Sequence, residues 1–251
     1  MDLHNKKIYF IHNQKCAGTF IWSLIKKQYP INSFNNHHAS INNNHNVNSC
    51  ADGGVDGGDG VDGGVDGGVH DKETFIIGNI RNPYKIYVSL WAYGCYKKGA
   101  LFNYFNKHHQ EYLYLYSDVY NIQHFKTWCK LILQYNIILK KNIFFQDTDV
   151  MKYYNIGIVT YRFITLYYNG NFNILHNDKI NNEVDIFIKV ENMINDLQKI
   201  NIHITEDQNE NGKIKSNSTT HLDYQLYYDD ELRNLVYLKD FYIFKRFQYD
   251  F

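Results

Sequence analysis

Residues 7–28 read Lys7-Ile8-Tyr9-Phe10-Ile11-His12, then Asn13-Gln14-Lys15-Cys16-Ala17-Gly18, then Thr19-Phe20-Ile21-Trp22-Ser23-Leu24-Ile25-Lys26-Lys27-Gln28. The unbroken apolar run Ile8-Tyr9-Phe10-Ile11 predicts a strand buried on both faces. Polar and small residues follow, and a backbone free of bulky side chains turns easily there. Apolar residues then recur at Phe20, Ile21, Leu24 and Ile25, the spacing of one helix face. Strand, small-residue loop and helix in that order are how many phosphate-binding loops begin, because the helix N-terminus offers uncapped N–H groups and a positive dipole end.

The same alternation continues outward. Phe75, Ile76, Ile77 and Ile80 predict a second buried strand beginning at Thr74. Asn82-Pro83 predicts a helix start, with Asn as N-cap and Pro at the first helical position, and the helix is expected to reach about Tyr96 before Gly99. Further helices are predicted over 122–133, 191–199 and 229–247, and a third strand over 184–190. Strands alternating with helices predict an α/β domain with a mostly parallel central sheet flanked by helices. Ligands of such sheets sit at the carboxyl ends of the strands, the edge from which the loops after His12 and Ile80 emerge.

The chain has 251 residues, a length suited to one domain. Segment 35–72 departs from the rest: an Asn/His-rich stretch over 35–48 precedes a Val-Asp-Gly-Gly repeat over 52–69. Such a composition buries almost nothing and predicts a disordered insertion. Calcium-binding β-helix repeats need regular nine-residue turns, and these repeats are mostly four residues long. Lys+Arg and Asp+Glu are both 26, a balance that argues against a generally basic nucleic-acid binder. Cys16, Cys50, Cys95 and Cys129 form no CxxC pair, so no zinc ribbon is expected and reduced thiols are. No apolar run is long enough to span a bilayer and no signal peptide is visible, which predicts a soluble protein of the cytoplasm or another intracellular space. The 23 tyrosines are assigned no special function.

Two constellations carry chemistry. In the first, Lys15 offers a mobile cation among Cys16, Ala17, Gly18 and Thr19, whose backbone can approach an anion closely. An ordinary strand-to-helix turn with a solvated lysine is the competing reading. Gly-Lys-Ser/Thr is missing, so this is not a Walker A loop, and a magnesium-dependent P-loop kinase is disfavoured. In the second, Arg81 leaves a strand at the ligand edge, where a guanidinium suits bidentate phosphate binding, and Ser89 follows two turns into the helix. Here the competing reading is a salt-bridged arginine and an exposed serine.

Together these segments resemble the sulfotransferase superfamily. His12-Asn13-Gln14-Lys15-Cys16-Ala17-Gly18-Thr19 is similar to its 5′-phosphosulfate loop, His-x-Pro-Lys-x-x-Gly-Thr. Arg81-Asn82-Pro83-Tyr84, with Val88-Ser89, is similar to its 3′-phosphate motif, Arg-Asp/Asn-Pro-x-x-Arg-x-x-Ser. The strand ending in Glu191-Asn192, the segment Asn217-Ser218-Thr219 and the last helix extend the likeness, most closely to the carbohydrate-modifying members. The resemblance implies a P-loop-like three-layer α/β fold and transfer of a sulfuryl group from 3′-phosphoadenosine 5′-phosphosulfate (PAPS) to a hydroxyl acceptor, a glycan by preference, leaving PAP, without a metal. It implies that Lys15 is catalytic and that Lys15, Cys16, Ala17, Gly18, Thr19, Arg81, Ser89, Asn217 and Thr219 hold the cofactor. Relatives place a general base between the first helix and the Arg-bearing strand, which selects His38; His108, His109, His124 and His221 compete, and Glu191 is read as a capping residue. Gln14, Phe20 and Ile86 depart from the motifs, Ile86 at the cost of a cation, and a non-catalytic nucleotide-binding member is the alternative. An interaction protein working through the Gly/Asp repeat is the third class.

Overall fold

Four short segments form the sheet at the centre of the computed structural model, which describes residues 3, 6–29, 34–37, 74–139, 147–177, 180, 184–204 and 219–251, with backbone alone for 34–37. They are β1 (Lys7–Ile11), β2 (Phe34–His37), β3 (Thr74–Ile80) and β4 (Ile186–Lys189), all parallel, in the order β2-β1-β3-β4. The helices of more than four residues are α1 (Gly18–Gln28), α2 (Pro83–Cys95), α3 (Ala100–His108), α4 (Ile122–Leu133), α5 (Thr148–Tyr153), α6 (Ile158–Tyr167), α7 (Met193–Gln198), α8 (Asp230–Lys239) and α9 (Phe241–Phe247), among the described residues and apart from a 3₁₀ segment at Gln110–Tyr116.

Side chains alternate across the strands, so each strand feeds two cores. Ile8, Phe10, Phe75, Ile77 and Ile188 pack on one face with Ile21, Leu24 and Ile25 of α1 and Met193 and Leu197 of α7. Tyr9, Ile11, Ile76 and Ile80 pack on the other with residues of α2, α4, α6, α8 and α9. Helices on both faces of a parallel sheet leave the carboxyl edge as the place for a site. The chain goes from β1 outward to β2, then returns past β1 to β3. The connections leaving β1 and β3 therefore part in opposite directions, and a crevice opens between them.

The expected elements hold at both motif strands. Asn82 caps α2 by accepting a hydrogen bond from the Tyr84 N–H at 3.0 Å, with Pro83 at the first helical position. Asn121 caps α4, accepting from the His124 N–H at 3.0 Å. Four expectations need correction. The insertion read over 35–72 begins too early, because β2 uses Phe34–His37; parallel backbone pairing with β1 supplies what the Asn/His-rich composition hides. The strand read over 184–190 keeps only Ile186–Lys189, and Val190–Asn192 is a 3₁₀ turn leading into α7.

The single helix read over 229–247 is broken at Asp240, which is fully buried. Its carboxylate accepts from the Thr160 N–H at 2.7 Å and from the Tyr87 hydroxyl at 2.7 Å. A carboxylate at the N-terminus of α6 satisfies amides that the helix cannot satisfy itself. Burial nonetheless lifts the Asp240 carboxyl to about 6. Lastly, α6 has no counterpart in the sequence reading: nine of its ten residues are buried, so it shows no amphipathic stripe. No helix among the described residues is long and apolar enough to cross a membrane.

Candidate functional site

Asn79 is the polar residue that shapes the site. It lies in β3 among apolar neighbours and is fully buried. Its Oδ1 accepts from the Asn13 N–H at 2.7 Å, and its Nδ2 donates to the Cys16 carbonyl at 2.6 Å and the Asn13 carbonyl at 3.3 Å. The Tyr167 hydroxyl donates to the Asn79 carbonyl at 2.9 Å and accepts from its N–H at 3.0 Å. The next residue but one, Arg81, donates from Nη1 to the Lys15 carbonyl at 3.2 Å. Three carbonyls of the loop between β1 and α1 are thus drawn toward β3, where they do not repel an anion. Lys15 and Ala17 adopt positive φ, 63° and 55°, a conformation non-glycine residues rarely take and one these cross-strand bonds hold in place. Gly18 is required by close approach: a Cβ there would lie 1.7 Å from Cδ2 of His12. No side chain caps the N-terminus of α1. Asn79→Ala strands three buried loop groups, and we expect a loss of about 2–4 kcal/mol of stability, read as a lower urea midpoint.

The loop borders a cavity of about 610 Å³, within the range of small-molecule sites. Three strands contribute their carboxyl ends: residues 12–19 follow β1, Arg81 follows β3 and Val190 follows β4. Lys15, Ala17, Gly18, Thr19, Arg81, Ser89 and Thr219, chosen from separate sequence motifs, all line it. Cys16 does not; it is buried beneath the loop, and burial pushes its thiol up to about 12. His38 and Asn217 lie outside the described residues. Lys15, Lys98, Arg81 and Arg162 give the wall four basic side chains, His12 and His221 add imidazoles, and no carboxylate lines it among the described residues. The Lys15 ammonium sits 3.3 Å from the centre of the Tyr93 ring. Burial first, then the charges of Arg81 and Arg162, lower its pKa to about 8.

Ser89 is buried on the inner face of α2 at the cavity wall. Ile86, where the motif has a second arginine, packs in the core. Glu191 accepts from the Asn82 N–H at 3.2 Å and pairs with Lys85 at 3.7 Å, the capping role the sequence suggests. His108, His109 and His124 are not among the residues that line the cavity; His221 is. Its Nδ1 lies 2.6 Å from the Leu222 carbonyl, a contact that orients the ring. Asn79, Arg162 and, in large part, His221 escaped the sequence reading. Asn79 and Arg162 had a legible signal, a lone polar or charged residue within an apolar run, which a fold retains only with a partner or a ligand. Among the described residues no cluster of His, Cys, Asp or Glu is placed to hold a metal ion.

The residues present suit anionic groups: an uncapped helix start, a loop whose carbonyls are turned away, and separate cations in the segments that follow β1 and β3. Comparison of the chain with protein-family models, with curated proteins and with solved structures finds no match.

Proposed function

We propose that this chain is a PAPS-dependent sulfotransferase of P-loop-like fold, acting on a hydroxyl acceptor, a carbohydrate by preference. The observation that supports this reading is the convergence of Lys15 with Arg81 and Ser89, distant from it in sequence, on one cavity between β1 and β3 that no carboxylate lines among the described residues. PAPS, when bound, supplies an activated sulfuryl group. The chain's own residues hold and polarise it. The amides of Gly18 and Thr19 and the Thr19 hydroxyl meet the 5′ end, while Arg81 and Ser89 meet the 3′-phosphate. The Lys15 ammonium stabilises the negative charge that grows on the oxygen leaving sulfur.

The acceptor hydroxyl also needs a base. Two histidines are proposed. His38 follows directly on β2, whose last residue, His37, pairs with Ile11 at the carboxyl edge of the sheet. His221 lines the cavity, its ring oriented by the contact of Nδ1 with the Leu222 carbonyl.

Calorimetry with PAP and ADP tests the cofactor. PAP should bind roughly tenfold or more tightly, because the 3′-phosphate adds charge-assisted hydrogen bonds worth about 1.5–3 kcal/mol. Equal affinities would remove the roles given to Arg81 and Ser89.

A further inference from the structure

The chain contains four arginines. Arg233 pairs with Asp230 at 3.0 Å and Arg246 is exposed, both on the C-terminal helices. The other two, Arg81 and Arg162, line the cavity. Arg162 is 4% exposed, and its Nε and Nη1 have no hydrogen-bond partner among the described residues. A guanidinium carries five donors and no acceptor, so water or an anion must satisfy what the protein does not.

Its surroundings do not neutralise it either. Desolvation lowers its pKa to about 10, which leaves it cationic at neutral pH. The groups whose charge would favour it are Cys16 and Tyr87. Burial pushes the Cys16 thiol up to about 12, and burial and Asp240 push the Tyr87 phenol well above its usual range, so both stay neutral. Asp240 itself is engaged by Thr160 and Tyr87. A buried, unpaired cation weakens a fold, and an apolar side chain of similar length would fill the same place on α6 at less cost. Such a group persists where a ligand completes it. The position also suits one: the field of Arg162 falls on Lys15 and Cys16, in the loop after β1, and Ile86 leaves the second constellation one cation short.

We infer that Arg162 is an anion anchor of this cavity, binding the tetrahedral oxyanion at the 5′ end of the nucleotide opposite the loop of Lys15. The identity of that oxyanion as the 5′ group of PAPS rests on the sulfotransferase reading; the anchor itself rests on burial and missing partners. The anchor is a specificity determinant for doubly anionic nucleotides, since it adds a buried cation to Lys15, Arg81 and Lys98.

The test compares wild type, Arg162→Met, Arg162→Lys and Arg81→Met. PAP, ADP and inorganic pyrophosphate are titrated by calorimetry, and thermal midpoints are measured without ligand. Arg162→Met should weaken PAP and pyrophosphate about 10- to 100-fold, the effect of losing a charge-assisted contact, while the unliganded midpoint rises or holds. Arg162→Lys should fall between. A lower midpoint with unchanged affinities would make Arg162 a structural residue and overturn the anchor. The two readings fail separately. Pyrophosphate bound through Arg162 with equal PAP and ADP affinities would keep the anchor and sink the PAPS assignment. PAP preferred over ADP and lost in Arg81→Met, but indifferent to Arg162, would do the reverse. Wild-type protein that binds none of the three overturns both. Should Arg162→Met fail to fold, wild-type protein labelled with ¹⁵N-arginine decides: its four Nε–H signals are few enough to assign with Arg162→Lys, and PAP should shift that of Arg162. A signal unmoved at saturating PAP and pyrophosphate overturns the anchor.

Discussion

Lys15→Ala should lower turnover about 10²- to 10³-fold while weakening PAP less than tenfold. On the proposed sulfotransferase reading, the ammonium acts chiefly on charge that develops as the sulfur–oxygen bond breaks, so its loss raises the barrier more than it loosens the ground state. The structure adds a pH signature. Burial, reinforced by Arg81 and Arg162, lowers the Lys15 pKa to about 8, so the working, charged form is lost as pH rises through that value. For free enzyme, kcat/KM should fall on the alkaline side near pH 8. A bound polyanion favours the ammonium, so the corresponding fall in kcat should lie at higher pH. Arg162→Met removes one of the charges that depress Lys15 and should move the kcat/KM limb upward as well. Radiolabelled PAPS with an acceptor found by screening measures both limbs. Unchanged turnover in Lys15→Ala would take Lys15 out of the mechanism.

Removing the general base should cost about 10²- to 10⁴-fold in transfer with PAP affinity intact. Of the two proposed histidines, His38 lies outside the described residues and His221 lines the cavity, so we expect that loss at His221→Ala. His221 lines the same cavity as Lys15, and the contact of its Nδ1 with the Leu222 carbonyl at 2.6 Å orients the ring. Measuring both alanine variants with one acceptor separates the candidates. Full loss in His38→Ala with His221→Ala active would return the role to the loop after β2; two active variants would eliminate both histidines.

The outline of the α/β fold was legible because its strands announce themselves locally. Ile8 to Ile11 and Phe75 to Ile80 are apolar runs flanked by polar turns, and Asn82-Pro83 is a complete helix start written in two residues. The sequence also supplied Lys15, Arg81 and Ser89, because short motifs next to strand ends place side chains at a known edge. It misjudged what depends on distant partners. β2 is polar in composition, and only pairing with β1 makes it a strand. The helix over 229–247 breaks at a residue that turns inward to serve α6, more than seventy residues earlier in the chain.

By itself, then, the sequence determined the strands β1 and β3, the helices that follow them and which two loops leave the carboxyl edge of the sheet, since periodicity and capping are properties of neighbouring residues. Only the tertiary structure decided how the loop after β1 is shaped and what surrounds it. Asn79 reaches back 66 residues to tie it down, and Arg162 enters the cavity from a helix on the opposite side of the sheet from α1. Hydrogen bonds and fields of that kind act across space, between residues whose separation along the chain carries no trace of their contact.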